Sequence, residues 1–279
     1  MKDSECVALL QDIAPRLRMQ WKGFRRVRTQ VCKRLEKRIK SLKLKDVSNY
    51  RTYLDNNEQE WNTLLQLCRV TISRFYRDKL VFSQLEQIYL PLLAQQTITH
   101  GEKTLKIWSI GCASGEEPYT LSIIWKHILS EQFPGINMAI SATDIDNKLL
   151  ERATRGAYTF SSIKNLPIDW HTKCFEQHDE LYYLHPEYKT VVEFKQQDVR
   201  KLTTDKIFNM VLCRNLVFTY FDSQLQNEAL SRIWQCMAPG GILVIGVHEK
   251  LPEGNTGFIV LSEKLGVYQK VAEQVSSSR

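Results

Sequence analysis

The chain of 279 residues contains no apolar run approaching the length of a membrane span. Its first residues, MKDSECVALL, lack a basic region followed by an apolar core, so no secretory signal is read there. The seven cysteines (Cys6, Cys32, Cys68, Cys112, Cys174, Cys213 and Cys236) are scattered and form no CxxC pair. That pattern indicates neither a zinc site nor a disulfide framework, and it predicts a metal-free chain in a reducing cytoplasm. No Ser/His/Asp or Cys/His set stands out. The six histidines, His248 included, read as packed or surface residues. There is no internal repeat, and no low-complexity stretch beyond Ser276 to Arg279.

What is present is an ordinary globular composition, 43% hydrophobic and 25% charged, with an uneven placement of charge. Residues 1–90 hold 19 Lys and Arg against 10 Asp and Glu, a net of +9, while the remainder carries a net of −2. A basic N-terminal third on a slightly acidic body suits an acidic partner: a protein surface, nucleic acid or an anionic membrane. Between Arg16 and Lys43 the apolar residues Phe24, Val27, Val31, Leu35, Ile39 and Leu42 recur at spacings of three and four. This predicts an amphipathic helix with Arg25, Arg28, Lys33, Lys37 and Lys40 largely off the apolar stripe. Further helices are predicted over Asn57 to Val70 and Leu80 to Gln95, the latter as a linker.

From Thr104 short apolar strands alternate with longer amphipathic stretches. Strands are predicted at Leu105–Ile110, Met138–Ala142, Val191–Lys195, Phe208–Cys213, Gly241–Val247, Phe258–Ser262 and Gly266–Val271. Helices fit at Pro118–Ser130, Lys148–Ala153 and Ser223–Met237, the last stopped by Pro239-Gly240-Gly241. Such alternation predicts an α/β fold: a doubly wound, Rossmann-like parallel sheet with an antiparallel edge hairpin at the end.

Ligands of such sheets bind at the carboxyl ends of the strands, beside the first crossover. Here that crossover reads GCASGEEPYT, Gly111 to Thr120. It is neither GxGxxG nor a GK[ST] phosphate loop, and Glu116 and Glu117 would repel a pyrophosphate. A ligand cationic at that end fits better, and S-adenosylmethionine, with an ammonium, a sulfonium and no phosphate, is such a ligand. The next strand ends in TDID, where Asp144 is placed to take a ribose diol, and Asp198 in QQDV follows another strand within reach of an adenine amino group.

Five blocks in this order resemble the CheR family of protein-glutamate methyltransferases: TISRFYRD (71–78), WSIGCASGEEPYTL (108–121), ATDIDNKLLERATRGAY (142–158), VLCRNLVFTYFD (211–222) and APGGILVIGVHE (238–249). The resemblance implies three regions: a basic helical N-terminal domain over 1–78, a linker helix over 79–98, and a class I methyltransferase domain over 99–279 with a small β-subdomain inserted at about 158–192. It implies methyl transfer from S-adenosylmethionine to a protein glutamate, leaving S-adenosylhomocysteine and a methyl ester. By motif, Arg77 is the active-site arginine, with Thr71 and Ser73 lining the same pocket. Gly111 shapes the cofactor turn, Glu117 (with Glu116 as second candidate) holds the ammonium, Asp144 the ribose, and Asp198 with Val199 the adenine. Cys213, Arg214 and Asn215 close the site. The segment CRNLVFTYF departs from the usual CRNV-x-IYF. The family tyrosine stands four residues after the asparagine, where Thr219 stands here, and Tyr220 is one further on. Tyr220 is the favoured active-site residue and Thr219 the alternative, and the departure points to a non-chemotaxis subgroup. The expected partner is an acidic, helical protein lying along the basic helix, and the expected state is a monomer. The competing readings are methylation of another protein site, of nucleic acid or of a small molecule, and a non-catalytic S-adenosylmethionine sensor. No NPPY-type motif supports a base-amine methylase.

Overall fold

The computed structural model describes residues 1–201 and 204–271, so Ser276 to Arg279 lie outside the described residues. The chain divides into two compact units. One comprises residues 1–72 together with 219–226; the other comprises 73–218 and the residues after 226.

The first unit is helical: α1 (Asp3–Ile13), α2 (Trp21–Phe24), α3 (Arg28–Ser41), α4 (Val47–Asn56) and α5 (Glu58–Cys68). The single helix expected from Arg16 onward is broken, since α2 ends at Phe24 and α3 begins at Arg28. Only Val31, Leu35 and Ile39 form the buried stripe of α3. Asp46 caps α4 by accepting from the Asn49 amide at 2.9 Å. Glu60, buried on α5, accepts from Arg38 Nη2 of α3 at 2.6 Å and from the Tyr50 hydroxyl of α4 at 2.9 Å, tying three helices to one carboxylate. Burial pushes its pKa up, but the hydrogen bonds from Arg38 and Tyr50 outweigh this and hold it below the ordinary carboxylate value.

One expectation fails in this unit. Cys6 of α1 and Cys32 of α3 form a disulfide, with Cα atoms 5.9 Å apart. The packing of α1 on α3 brings together two cysteines separated by 26 residues, a proximity that no local spacing reveals. The other five cysteines are free and buried.

The second unit opens with α6 (Lys79–Gln84), a π-helical turn (Leu85–Tyr89) and α7 (Leu90–Thr99). Then come β1 (Thr104–Ile110), α8 (Glu116–Ile124), a second π-helical turn (Trp125–Leu129), β2 (Asn137–Asp144) and α9 (Asn147–Arg155). An inserted segment follows: β3 (Ala157–Thr159), α10 (Phe160–Ile163), α11 (Ile168–Cys174), β4 (Phe175–His178) and β5 (Leu181–Leu184). The remaining elements are β6 (Val192–Gln196), β7 (Phe208–Cys213), α12 (Val217–Tyr220), α13 (Ser223–Gln235), β8 (Met237–Ile245), β9 (Phe258–Ser262) and β10 (Val267–Lys270).

The main sheet has seven strands in the order β6-β2-β1-β7-β8-β10-β9. The first five are parallel and β10 is antiparallel to both its neighbours, the doubly wound sheet with an antiparallel edge that the sequence predicts. Leu105 and Ile107, Met138 and Ile140, Met210 and Leu212, and Ile242 and Val244 alternate along their strands and join one core with Leu85, Leu90, Leu121 and Ile124. The inserted segment forms its own three-stranded antiparallel sheet, β3-β5-β4. Strand β8 starts at Met237 and runs through Pro239-Gly240-Gly241, which reads in sequence as a helix stop before the strand. The ladder to β7 slips there, pairing Phe208 with Met237 and Met210 with Ile242, so the extra residues are absorbed in a bulge. Among the described residues no helix is long and apolar enough to cross a membrane.

Removing the bridge with Cys32→Ser is expected to lower the unfolding free energy of the oxidised protein by about 2–4 kcal/mol. Denaturant melts with and without reductant check this. Wild type in reductant should match the variant, and equal stability in all four conditions would count against the bridge.

Candidate active site

The turn after β1 is shaped by three residues with positive φ: Gly111 (+71°), Ala113 (+51°) and Gly115 (+88°). The Gly111 and Cys112 amides both donate to the Thr143 carbonyl, at 2.7 and 2.9 Å, pinning the turn to the end of β2. The Ala113 amide donates to Asp144 Oδ2 at 2.9 Å, and Asp144 Oδ1 accepts from the Asp146 amide at 2.9 Å. Burial pushes the Asp144 pKa up while those two amides pull it down. A Cβ on Gly111 would stand 2.6 Å from Leu216 Cδ2, and one on Gly115 would stand 3.0 Å from Ala153 Cβ, in addition to the positive φ at each.

Both glutamates lie in the first turn of α8, where the helix dipole favours negative charge. They differ in surroundings. Glu117 is 14% exposed; its Oε1 accepts from the Ser109 hydroxyl at 2.8 Å and its Oε2 pairs with Arg214 Nη1 at 3.1 Å. Glu116 is 2% exposed, and its Oε2 has no hydrogen-bond partner among the described residues. Burial pushes the Glu116 pKa up, against the hydrogen bond from Ser73.

The segment holding Ser73 and Arg77 docks on the same helix. The Tyr76 amide donates to the Thr120 hydroxyl at 3.1 Å, and the Phe75 amide to the Ser162 carbonyl at 3.0 Å. Tyr76 (φ +53°) and Asp78 (φ +62°) are both left-handed, so Arg77 sits between two strained non-glycine residues. Phe75 packs edge-on to Tyr158 and Phe175, and Tyr76 against Phe82 and Trp170, so both anchor the segment within this unit. The Arg77 side chain is 35% exposed, with Nε 4.0 Å from Asp78 Oδ2.

Arg214, just past β7, is 3% exposed and joins these pieces. Besides Glu117, its Nη2 binds Asp78 Oδ2 at 2.6 Å and the Arg77 carbonyl at 3.3 Å, and its guanidinium lies over the Phe82 ring. Asn215 adopts φ +55°. Its amide donates to Glu249 at 2.8 Å, as do the amides of Leu216 at 3.1 Å and Gly246 at 2.6 Å. Glu249 is thus a buried carboxylate clamping the loops after β7 and β8. It carries no role in the sequence reading, and its only signal there is its place at the end of the block APGGILVIGVHE. Asp78, equally unassigned, is the acid next to Arg77 in TISRFYRD.

Cys213 is fully buried, and burial pushes its thiol well up, which suits packing and not nucleophilic chemistry. Asp198 binds Arg200, with Nη2 to Oδ2 at 2.5 Å and the Arg200 amide to Oδ1 at 2.9 Å, and Val199 is buried beside it. Trp108 and Tyr119 are core residues. The second unit therefore brings together Ser73, Arg77, Gly111, Glu116, Glu117, Asp144 and Arg214 around one strand-end turn. Thr71 and the pair Thr219 and Tyr220 belong to the first unit.

A family model described as CheR methyltransferase, SAM binding domain, matches residues 71–267. The chain belongs to the CheR methyltransferase family. A chemotaxis protein methyltransferase 2 of Vibrio cholerae is 30% identical over 230 residues, covering 79% of this chain and 77% of the relative. A chemotaxis protein methyltransferase of Borreliella burgdorferi is 29% identical over 230 residues, covering 79% and 81%. An uncharacterized 104.1 kDa protein in the hypE 3' region of Rhodobacter capsulatus is 28% identical over 240 residues, 86% of this chain, which spans only 25% of that protein's length.

This CheR methyltransferase is accordingly an S-adenosylmethionine-dependent enzyme, and its residues fit that cofactor. The turn and the adjoining end of β2 offer three carboxylates (Glu116, Glu117 and Asp144) and no lysine, a set of groups for a cation and a diol and not for a phosphate. The unpartnered Glu116 Oε2 adds a buried acceptor to that set.

Glu249→Leu strands three backbone amides and is expected to cost at least about 3 kcal/mol of stability. Denaturant unfolding measures it, and a change under about 1 kcal/mol would mean the loops hold without the clamp.

Proposed function

We propose that the enzyme transfers a methyl group to the side-chain carboxylate of a glutamate in a target protein, giving a methyl ester. The observation that carries this reading is Arg77: a partly exposed guanidinium bracketed by left-handed Tyr76 and Asp78, beside a turn rich in carboxylates. Arg214, at 3% exposure, pairs with Glu117 and Asp78 and donates to the Arg77 carbonyl as a further partner, which holds the segment carrying Arg77 in place.

A glutamate is already ionised at neutral pH, so the residues need supply no base. S-adenosylmethionine, when bound, supplies an electrophilic methyl on a sulfonium. The chain's task is alignment. Arg77 takes one carboxylate oxygen as a fork and leaves the other in line with the methyl carbon. That oxygen would form the new C–O bond as the C–S bond of the bound cofactor broke, and the electron pair would stay on sulfur in S-adenosylhomocysteine. Tyr220 orients the carboxylate with one hydrogen bond. Opposite charges annihilate in this step, so a water-excluding site favours it. Glu117 holds the cofactor's ammonium with Glu116 behind it, Asp144 takes the ribose, and Asp198 with Val199 flanks the adenine. Thr71, Ser73, Gly111, Cys213, Arg214 and Asn215 line or shape the pocket.

The target is an acidic, helical protein segment met by the exposed cations Arg25, Arg26, Lys33, Lys37 and Lys40. The enzyme works as a monomer.

The test is incubation with methyl-labelled S-adenosylmethionine and a lysate of the source cells, then mild alkali. Volatile methanol released from protein supports a carboxyl ester, whereas alkali-stable label on protein or nucleic acid overturns the substrate. Arg77→Ala should cut transfer on the order of 100-fold and leave cofactor affinity, read by calorimetry, within a few-fold. Full activity would remove Arg77 from the mechanism.

A further inference from the structure

Gly23 stands inside α2, where glycine costs roughly 1 kcal/mol relative to alanine. Its backbone shows no positive φ that would require glycine. What requires it is a close approach: a Cβ there would lie 2.3 Å from the Thr219 carbonyl oxygen and 3.1 Å from Tyr220 Cδ1. The residues around it grip the same segment. The Gln20 amide donates to the Tyr220 carbonyl at 2.8 Å, and Gln20 Nε2 donates to the Thr219 carbonyl at 3.1 Å. Met19 and Phe221 form an antiparallel bridge, and the Asp222 amide donates to the Arg18 carbonyl at 3.0 Å. The Phe24 and Tyr220 rings pack with centroids 5.6 Å apart.

One residue thus donates to two consecutive carbonyls, and a second lacks a side chain so that the contact can close. This is tighter than tethering a passing loop demands, because it fixes both position and register of the two residues that compete for the active-site role. We propose that Gln20, Gly23 and Phe24 are positioning residues for methyl transfer: the N-terminal unit sets the register of the Thr219–Tyr220 pair and holds the Tyr220 ring in place. The inference rests on the reading of Tyr220 as the residue that orients the carboxylate. It gives the basic unit a second task besides meeting the target, because its residues 18–24 set the geometry of the chemical step.

Full-length Gly23→Ala, Tyr220→Phe and the double variant test it, with alkali-labile label transfer to lysate protein at saturating S-adenosylmethionine as the rate. Gly23→Ala is expected to slow transfer by about 100-fold, as an ångström-scale displacement does. Cofactor affinity should stay within twofold, because the cofactor turn is built from other residues. In the Tyr220→Phe background the same substitution should cost little more, since the two act through one group. A full additional loss in that background, or an undiminished rate in Gly23→Ala, overturns the inference. A Tyr220→Phe enzyme at the wild-type rate removes the role of Tyr220 itself, and the inference with it. Amide hydrogen exchange gives a readout independent of turnover. The Gln20 and Asp222 amides should lose protection in Gly23→Ala, and unchanged protection contradicts the proposal. Gln20→Glu, which replaces a donor by an acceptor facing the Thr219 carbonyl, repeats the test should Gly23→Ala fail to fold.

Discussion

The methyltransferase unit depends on one buried cation. Arg214 would be expensive to bury alone, and two carboxylates, Asp78 and Glu117, make its burial tolerable. The three belong to distant parts of the sequence: the segment before α6, the start of α8 and the end of β7. Their union fixes the segment that carries Arg77 against the start of α8. It also divides labour between two arginines. The buried one holds shape, and the partly exposed one is the residue we propose to meet the substrate carboxylate. Glu249 completes the arrangement from below, because the loop beginning at Arg214 needs its amides satisfied before the guanidinium can be held. The helical unit uses the same device with signs exchanged: Glu60 is the buried carboxylate, and Arg38 and Tyr50 are its satisfied partners.

Much of this was legible in the sequence because the signals are local. Alternation along short apolar runs gave the strands, and the order of strands and helices gave the sheet and its antiparallel edge. The GCASGEEPYT turn points to a cationic ligand through the chemistry of its side chains alone. Most of the misses depend on contacts between residues far apart in the chain. The Cys6–Cys32 bridge follows from packing α1 on α3. The break between α2 and α3 is hidden because Phe24 and Val27 keep the helical spacing across it. The bulge in β8 arises where the ladder to β7 must absorb extra residues, and Pro239-Gly240-Gly241 reads equally well as a helix stop. Glu249 shows no pattern in sequence because its partners are backbone amides, which carry no residue identity.

The first unit draws residues 219–226 from the middle of the methyltransferase sequence, and this bears on how such a protein can be inherited. A module that folds from one continuous stretch can be copied, fused or exchanged as a cassette. Here the boundary is crossed three times by the chain, so a recombination event at residue 72 would separate the helices from the strip they are built to hold. Variation of the N-terminal helices is therefore constrained to substitution in place, with residues 18–24 and 219–222 changing as a matched pair.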